Sequence, residues 1–122
     1  MPDRLCLIVD DEPAIRRYLQ AVLNQQHLQT VEANDATDAL RVVDQLGNSL
    51  DLILSDVKMP GDMDGVQLAH SVRNAYPAIP IILISGFSDS KEENTEGFEL
   101  IPKPFSPETL LAAVERAFNH VV

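Results

Sequence analysis

The sequence predicts a three-layer, doubly wound α/β domain on a five-stranded parallel sheet, and three observations predict it. Short apolar runs alternate with longer stretches of helical period along the chain. Three of those runs are nearly continuous in Val, Ile and Leu, the pattern of strands covered on both faces by helices. The 122 residues, 45% hydrophobic and 23% charged, suit one globular domain of ordinary size. Strands alternating with helices imply parallel pairing through right-handed crossovers.

RLCLIV at 4–9, DLILS at 51–55 and IPIILIS at 79–85 are the three continuous runs and belong at the sheet centre. QTVEA at 29–33 and FELI at 98–101 complete the strand set. After the first strand, Ile15, Leu19, Val22 and Leu23 share one helical face. Ala36, Ala39, Leu40 and Val43 form the second stripe, with Gly47 as its stop, and Leu68, Ala69, Val72 and Tyr76 form the third. In the last helix Ser106 is placed to cap and Pro107 fits the first helical position. Its buried stripe is Leu110, Leu111, Val114, Ala117, Phe118 and Val121. The fourth connection, GFSDSKEENTEG at 86–97, has no apolar stripe, so a short or irregular fourth helix is expected there.

A formal charge of −10 and an isoelectric point near 4.5 argue against a nucleic-acid footprint, which needs clustered Lys and Arg. Proteins and small cations are the expected partners. The N-terminal MPDRL shows no basic segment leading into a long apolar one, and the strongest hydrophobic run, 79–84, is too short to span a bilayer. A cytoplasmic location without membrane insertion is expected. Cys6 is the sole cysteine and lies in an apolar strand, which excludes an internal disulfide or thiolate metal site and suits a buried small hydrophobe. His27, His70 and His120 are far apart and lack ligand-type partners at helical spacing, so surface roles are expected.

In a doubly wound sheet, ligands bind outside the carboxyl ends of the strands. The first strand ends at Asp10 and Asp11, the third at Asp56 and the fourth at Ser85, while the fifth leads through Pro102 to Lys103. Singly, each has an ordinary reading: Asp10 and Asp11 can cap the next helix, Asp56 can start a turn, Ser85 can bond a loop backbone, and Lys103 can be a solvated charge. Their coincidence on one rim points to a site. Adjacent carboxylates raise each other's pKa and burial raises both, so the constellation calls for a positive charge. Hard oxygens without convergent His or Cys suit Mg2+, with Mn2+ as a substitute. With the metal bound, Asp56 can stay ionised beside Asp10 and Asp11 and attack phosphorus, giving an acyl phosphate. Lys103 supplies charge from a second side, and the Ser85 hydroxyl can bond a phosphoryl oxygen.

LIVDDEPAIRRYL, DLILSDVKMPGDMDG, IILISG and PKPFSPETL together resemble, in order and over essentially the whole chain, the receiver (CheY-like) domain of bacterial two-component response regulators. The ending is similar to receivers of hybrid sensor kinases. The resemblance implies one receiver domain over 1–122, with a flavodoxin-like fold and strand order 2-1-3-4-5. It implies Asp56 as phosphoacceptor from a histidine kinase or histidine phosphotransfer domain, in a two-component system or phosphorelay. Asp10, Asp11, Asp56 and the Lys58 carbonyl would hold Mg2+. Ser85 and Lys103 would sense the phosphoryl group, and the Lys103–Pro104 bond would be cis. Such a domain is a switch that assists its own phosphorylation and dephosphorylation rather than an enzyme. No DNA-binding output domain is expected on this chain, and a homodimer on phosphorylation is one expected outcome.

Three features depart from the usual receiver pattern. MPGDMDG is one residue longer than M-P-x-M-D-G, so the turn at 60–65 is expected to project differently. Leu100 stands where an aromatic residue often rotates inward, and Phe98, on the same strand face by period two, is a candidate substitute. The unpatterned fourth connection implies a different output face. Competing readings are a Mg2+-dependent phosphatase of haloacid dehalogenase type, a flavin-binding flavodoxin and a degenerate receiver that binds partners without phosphorylation. The first places an acid two residues after its nucleophile, where this chain has Lys58. The flavodoxin needs a Ser/Thr/Gly-rich phosphate loop where this chain has VDDEPA, and the intact acidic set with Lys103 speaks against a degenerate receiver.

Overall fold

A computed structural model describes residues 4–86 and 97–119. In chain order its elements are β1 (Arg4–Val9), α1 (Pro13–Asn24), β2 (Leu28–Ala33), α2 (Ala36–Leu46), a 3-10 turn (Gly47–Ser49), β3 (Leu52–Asp56), α3 (Gly65–Ala75), β4 (Ile81–Ser85), β5 (Glu99–Pro102) and α4 (Pro107–Asn119). All four strand pairings are parallel, in the order β2-β1-β3-β4-β5. The helix expected in the fourth connection falls on 87–96 and, with His120 and Val121, lies outside the described residues.

The sheet separates two apolar layers. One face carries Leu7, Val9, Ile53 and Leu83 against the stripes of α2 and α3; the other carries Cys6, Ile8, Leu54 and Ile84 against those of α1 and α4. This is the period-two consequence of strands packed on both sides. Every residue of β3 and β4 is buried, whereas β2 and β5, at the edges, mix buried, half-buried and exposed positions. Cys6 is buried, and desolvation pushes its thiol well above the ordinary range, so it behaves as a small hydrophobe.

Two helix starts fix the loops around the carboxyl edge. The Ser106 hydroxyl accepts from Thr109 N at 3.1 Å, and Pro107 begins α4, as the sequence predicts. At α3, Asp64 is the cap: its carboxylate accepts from Gln67 N, and the Gln67 side chain accepts from Asp64 N, both at 2.9 Å. The long loop before it passes through Gly61 at φ +107, a backbone region that a Cβ would resist. The Asp64 cap sets the helix start at Gly65.

Candidate functional site

The parallel register decides which side chains meet. Val9 pairs with Ser55, Asp56 with Ile84 and Ser85 with Pro102, so Asp10, Asp56, Ser85 and Lys103 emerge on one edge of the sheet. Backbone bonds then lock that edge: Asp10 N to Ala33 O at 3.2 Å, Val57 N to Ile84 O at 3.0 Å and Lys103 N to Ser85 O at 2.8 Å. The Lys103–Pro104 peptide is cis.

Asp10, Asp11 and Asp56 each offer a carboxylate oxygen, and these oxygens lie within 4.8 Å of one another. Asp10 and Asp56 are buried at 0% and 5% exposure, while Asp11 faces solvent. Lys103 Nζ stands 3.3 Å from Asp56 Oδ1. Asp10 and Asp11 are not the caps of α1, because Glu12 holds that position without a side-chain cap bond. Instead Asp10 Oδ1 accepts from Glu12 N at 2.9 Å, and its Oδ2 is buried with no hydrogen-bond partner. Burial pushes the Asp10 carboxyl up to about 6; the Glu12 amide opposes the rise and the Asp56 charge adds to it. An orphaned buried oxygen beside two further acids fits a hard divalent cation, which these three residues would hold.

Ser85 is buried at the end of β4, and its hydroxyl donates to Gly86 O at 3.1 Å. Rotation about one bond would turn it outward from the strand end. Lys58 is exposed, two residues beyond β3.

Several residues that build the site were not singled out from sequence. Gly65 is one: a Cβ there would lie 2.0 Å from the Asp56 carbonyl oxygen and 2.9 Å from its carbon. Only glycine lets the start of α3 approach the backbone of Asp56, and Gly65 N donates to Val57 O at 2.9 Å. The Asp64 and Gln67 spacing was a readable signal for this helix start. Arg16 is another, its Nη1 donating to the Asp10 carbonyl oxygen at 2.5 Å, and nothing local in the sequence pairs those two residues.

The aromatic candidate resolves differently from its face. Phe98 is 8% exposed in the core layer of α2 and α3, with the Arg73 guanidinium 3.9 Å over its ring and His70 edge-on at 5.0 Å. Phe98 thus packs as a core residue against Arg73 and His70 of α3. Leu100 is 40% exposed. His27 and His70 are both exposed, as expected.

The chain matches the response regulator receiver domain family over residues 6–115. It is 32% identical over 117 residues to the DNA-binding transcriptional regulator NtrC of Proteus hauseri, covering 93% of this chain and 24% of that protein. It is 34% identical over 113 residues to the sensor kinase CckA of Brucella abortus, covering 89% and 12% respectively. The chain thus spans a quarter or less of the length of these relatives. The crystal structure of a response regulator receiver domain protein from Clostridium thermocellum superposes with a TM-score of 0.88 at 26% identity, covering 95% of this chain and 94% of that one.

Proposed function

The chain belongs to the response regulator receiver domain family, the phosphoacceptor modules of two-component systems, and we propose that Asp56 is its phosphoacceptor. The donor is the phosphohistidine of a histidine kinase or of a histidine phosphotransfer domain, and the setting is the cytoplasm. The observation that carries this reading is the acidic triad within 4.8 Å, one member fully buried with an unsatisfied oxygen, and Lys103 standing 3.3 Å from Asp56.

Asp10, Asp11 and Asp56 would hold Mg2+, with the Lys58 carbonyl as a fourth protein ligand. When bound, Mg2+ supplies the charge that lets phosphoryl and carboxylate oxygens converge. An Asp56 carboxylate oxygen attacks phosphorus in line; the new O–P bond forms as the P–N bond to imidazole breaks, and the electron pair leaves on the ring nitrogen. Lys103, already beside Asp56, balances charge on the phosphoryl oxygens. Ser85 exchanges its bond to Gly86 for one to a phosphoryl oxygen. A phosphatase of haloacid dehalogenase type would need an acid where the exposed Lys58 stands.

The test is incubation with acetyl phosphate and Mg2+, read by mass spectrometry. A single phosphoryl adduct on the wild-type chain, lost with EDTA and lost in Asp56→Asn, is expected. No adduct on the wild type, or the same adduct on Asp56→Asn, refutes the assignment.

A further inference from the structure

Asp10 has four polar atoms, and three are engaged within the chain. Its N donates to Ala33 O at 3.2 Å, its Oδ1 accepts from Glu12 N at 2.9 Å, and its carbonyl oxygen accepts from Arg16 Nη1 at 2.5 Å. Oδ2 alone is left, and it belongs to the acidic triad. Arg16 is itself fixed: its Nε donates to Glu32 Oε1 at 2.9 Å, with the two side chains 16% and 40% exposed. Glu32 lies in β2 opposite Ile8 of β1, so the guanidinium bridges two adjacent strands at their carboxyl ends. Arg16 N also donates to Glu12 O at 3.2 Å. One residue therefore clamps the Asp10–Glu12 loop at both ends, by its side chain on Asp10 and by its backbone on Glu12.

We propose that Arg16, held by Glu32, is a positioning residue that sets the Asp10–Glu12 loop for divalent-cation binding. The inference rests on the metal-assisted phosphoacceptor reading above and assigns part of its geometry to a residue that touches neither metal nor phosphorus. The Asp10 carbonyl belongs to the peptide that leads into Asp11. Fixing that carbonyl fixes the peptide plane, and with it the direction in which both ligand side chains leave the backbone. The guanidinium fork suits this task because two of its N–H groups reach two acceptors at once, which an ammonium on a flexible stem does not reproduce. Metal ligands depend on such outer partners for orientation.

Charge and positioning make opposite demands, which makes the proposal decidable. If Arg16 acted only as a nearby cation, its removal would lessen repulsion and tighten Mg2+ binding. If it positions the loop, its removal loosens binding. Mg2+ titrations of the wild type, Arg16→Gln, Arg16→Lys and Glu32→Ala would be followed by thermal midpoint and by the chemical shift of the Glu12 amide proton, which reports its bond to Asp10. Arg16→Gln is expected to weaken Mg2+ binding about tenfold. Arg16→Lys, which keeps the charge but not the fork, is expected to weaken it several-fold, with the Glu12 amide already shifted before metal is added. Glu32→Ala moves in the same direction. Arg16→Lys preserves charge and stem and remains the deciding variant should Arg16→Gln not fold. Unchanged or tighter Mg2+ binding in Arg16→Lys, while the wild type binds, overturns the positioning role alone. A wild type that shows no Mg2+ response overturns the functional reading and the inference together.

Discussion

Asp10→Asn is expected to stabilise the metal-free protein while removing its response to Mg2+. The native carboxyl is raised from 3.8 to about 6, with burial as the leading cause. Below pH 3.8 the group is protonated in both folded and unfolded chains and costs nothing. Between 3.8 and about 6 the native state keeps a proton that the unfolded chain has released, so stability falls as pH rises. Above about 6 the carboxylate is ionised in both states, and the full cost, about 3 kcal/mol, is in place. Asparagine does not ionise, its oxygen can still accept from Glu12 N, and its amide nitrogen replaces the orphaned Oδ2 with a donor facing Asp11 and Asp56. Urea unfolding in EDTA should show the variant more stable than wild type by about 3 kcal/mol near pH 7.5 and by about half that near pH 5. Added Mg2+ should then stabilise the wild type and leave the variant unmoved. A variant no more stable than wild type near pH 7.5, or a gain that does not shrink on acidification, refutes the reasoning that an unpaired buried charge is held in place for the cation.

Other substitutions separate the parts of the site. Gly65→Ala forces a Cβ against the Asp56 carbonyl and should cost about 3 kcal/mol in urea unfolding, with slower acetyl phosphate labelling because the backbone of the phosphoacceptor must shift. Lys103→Met removes the ammonium beside Asp56; metal-free stability should fall by about 1 kcal/mol, while the Mg2+ midpoint moves to lower concentration. Phe98→Ala empties a buried ring site under Arg73 and should cost about 3 kcal/mol without altering the rate of phosphoryl labelling. A changed rate with stability intact would instead assign Phe98 a part in the switch. Asp64→Ala removes the cap of α3 and should cost about 1 kcal/mol, read by thermal unfolding.

The sequence by itself determined the order of strands and helices, the central place of β1, β3 and β4, and the set of residues on the carboxyl edge. These are local matters: apolar periodicity shows which side of an element is covered, and the residue after a strand necessarily stands at its rim. The donor chemistry was legible for the same reason, since carboxylates without imidazole or thiol name a hard cation by their residue types alone. The strand order was legible only through the family resemblance, because alternation alone allows several windings of the same elements. Tertiary structure decided what depends on register and close approach. Burial turned Asp10 into an acid with one orphaned oxygen, Gly65 proved to lie against the Asp56 backbone, Phe98 was fastened by Arg73, and Arg16 reached from α1 to Asp10 and Glu32. Each of these rests on distances between atoms far apart in the chain, and no pattern within a single element carries that information.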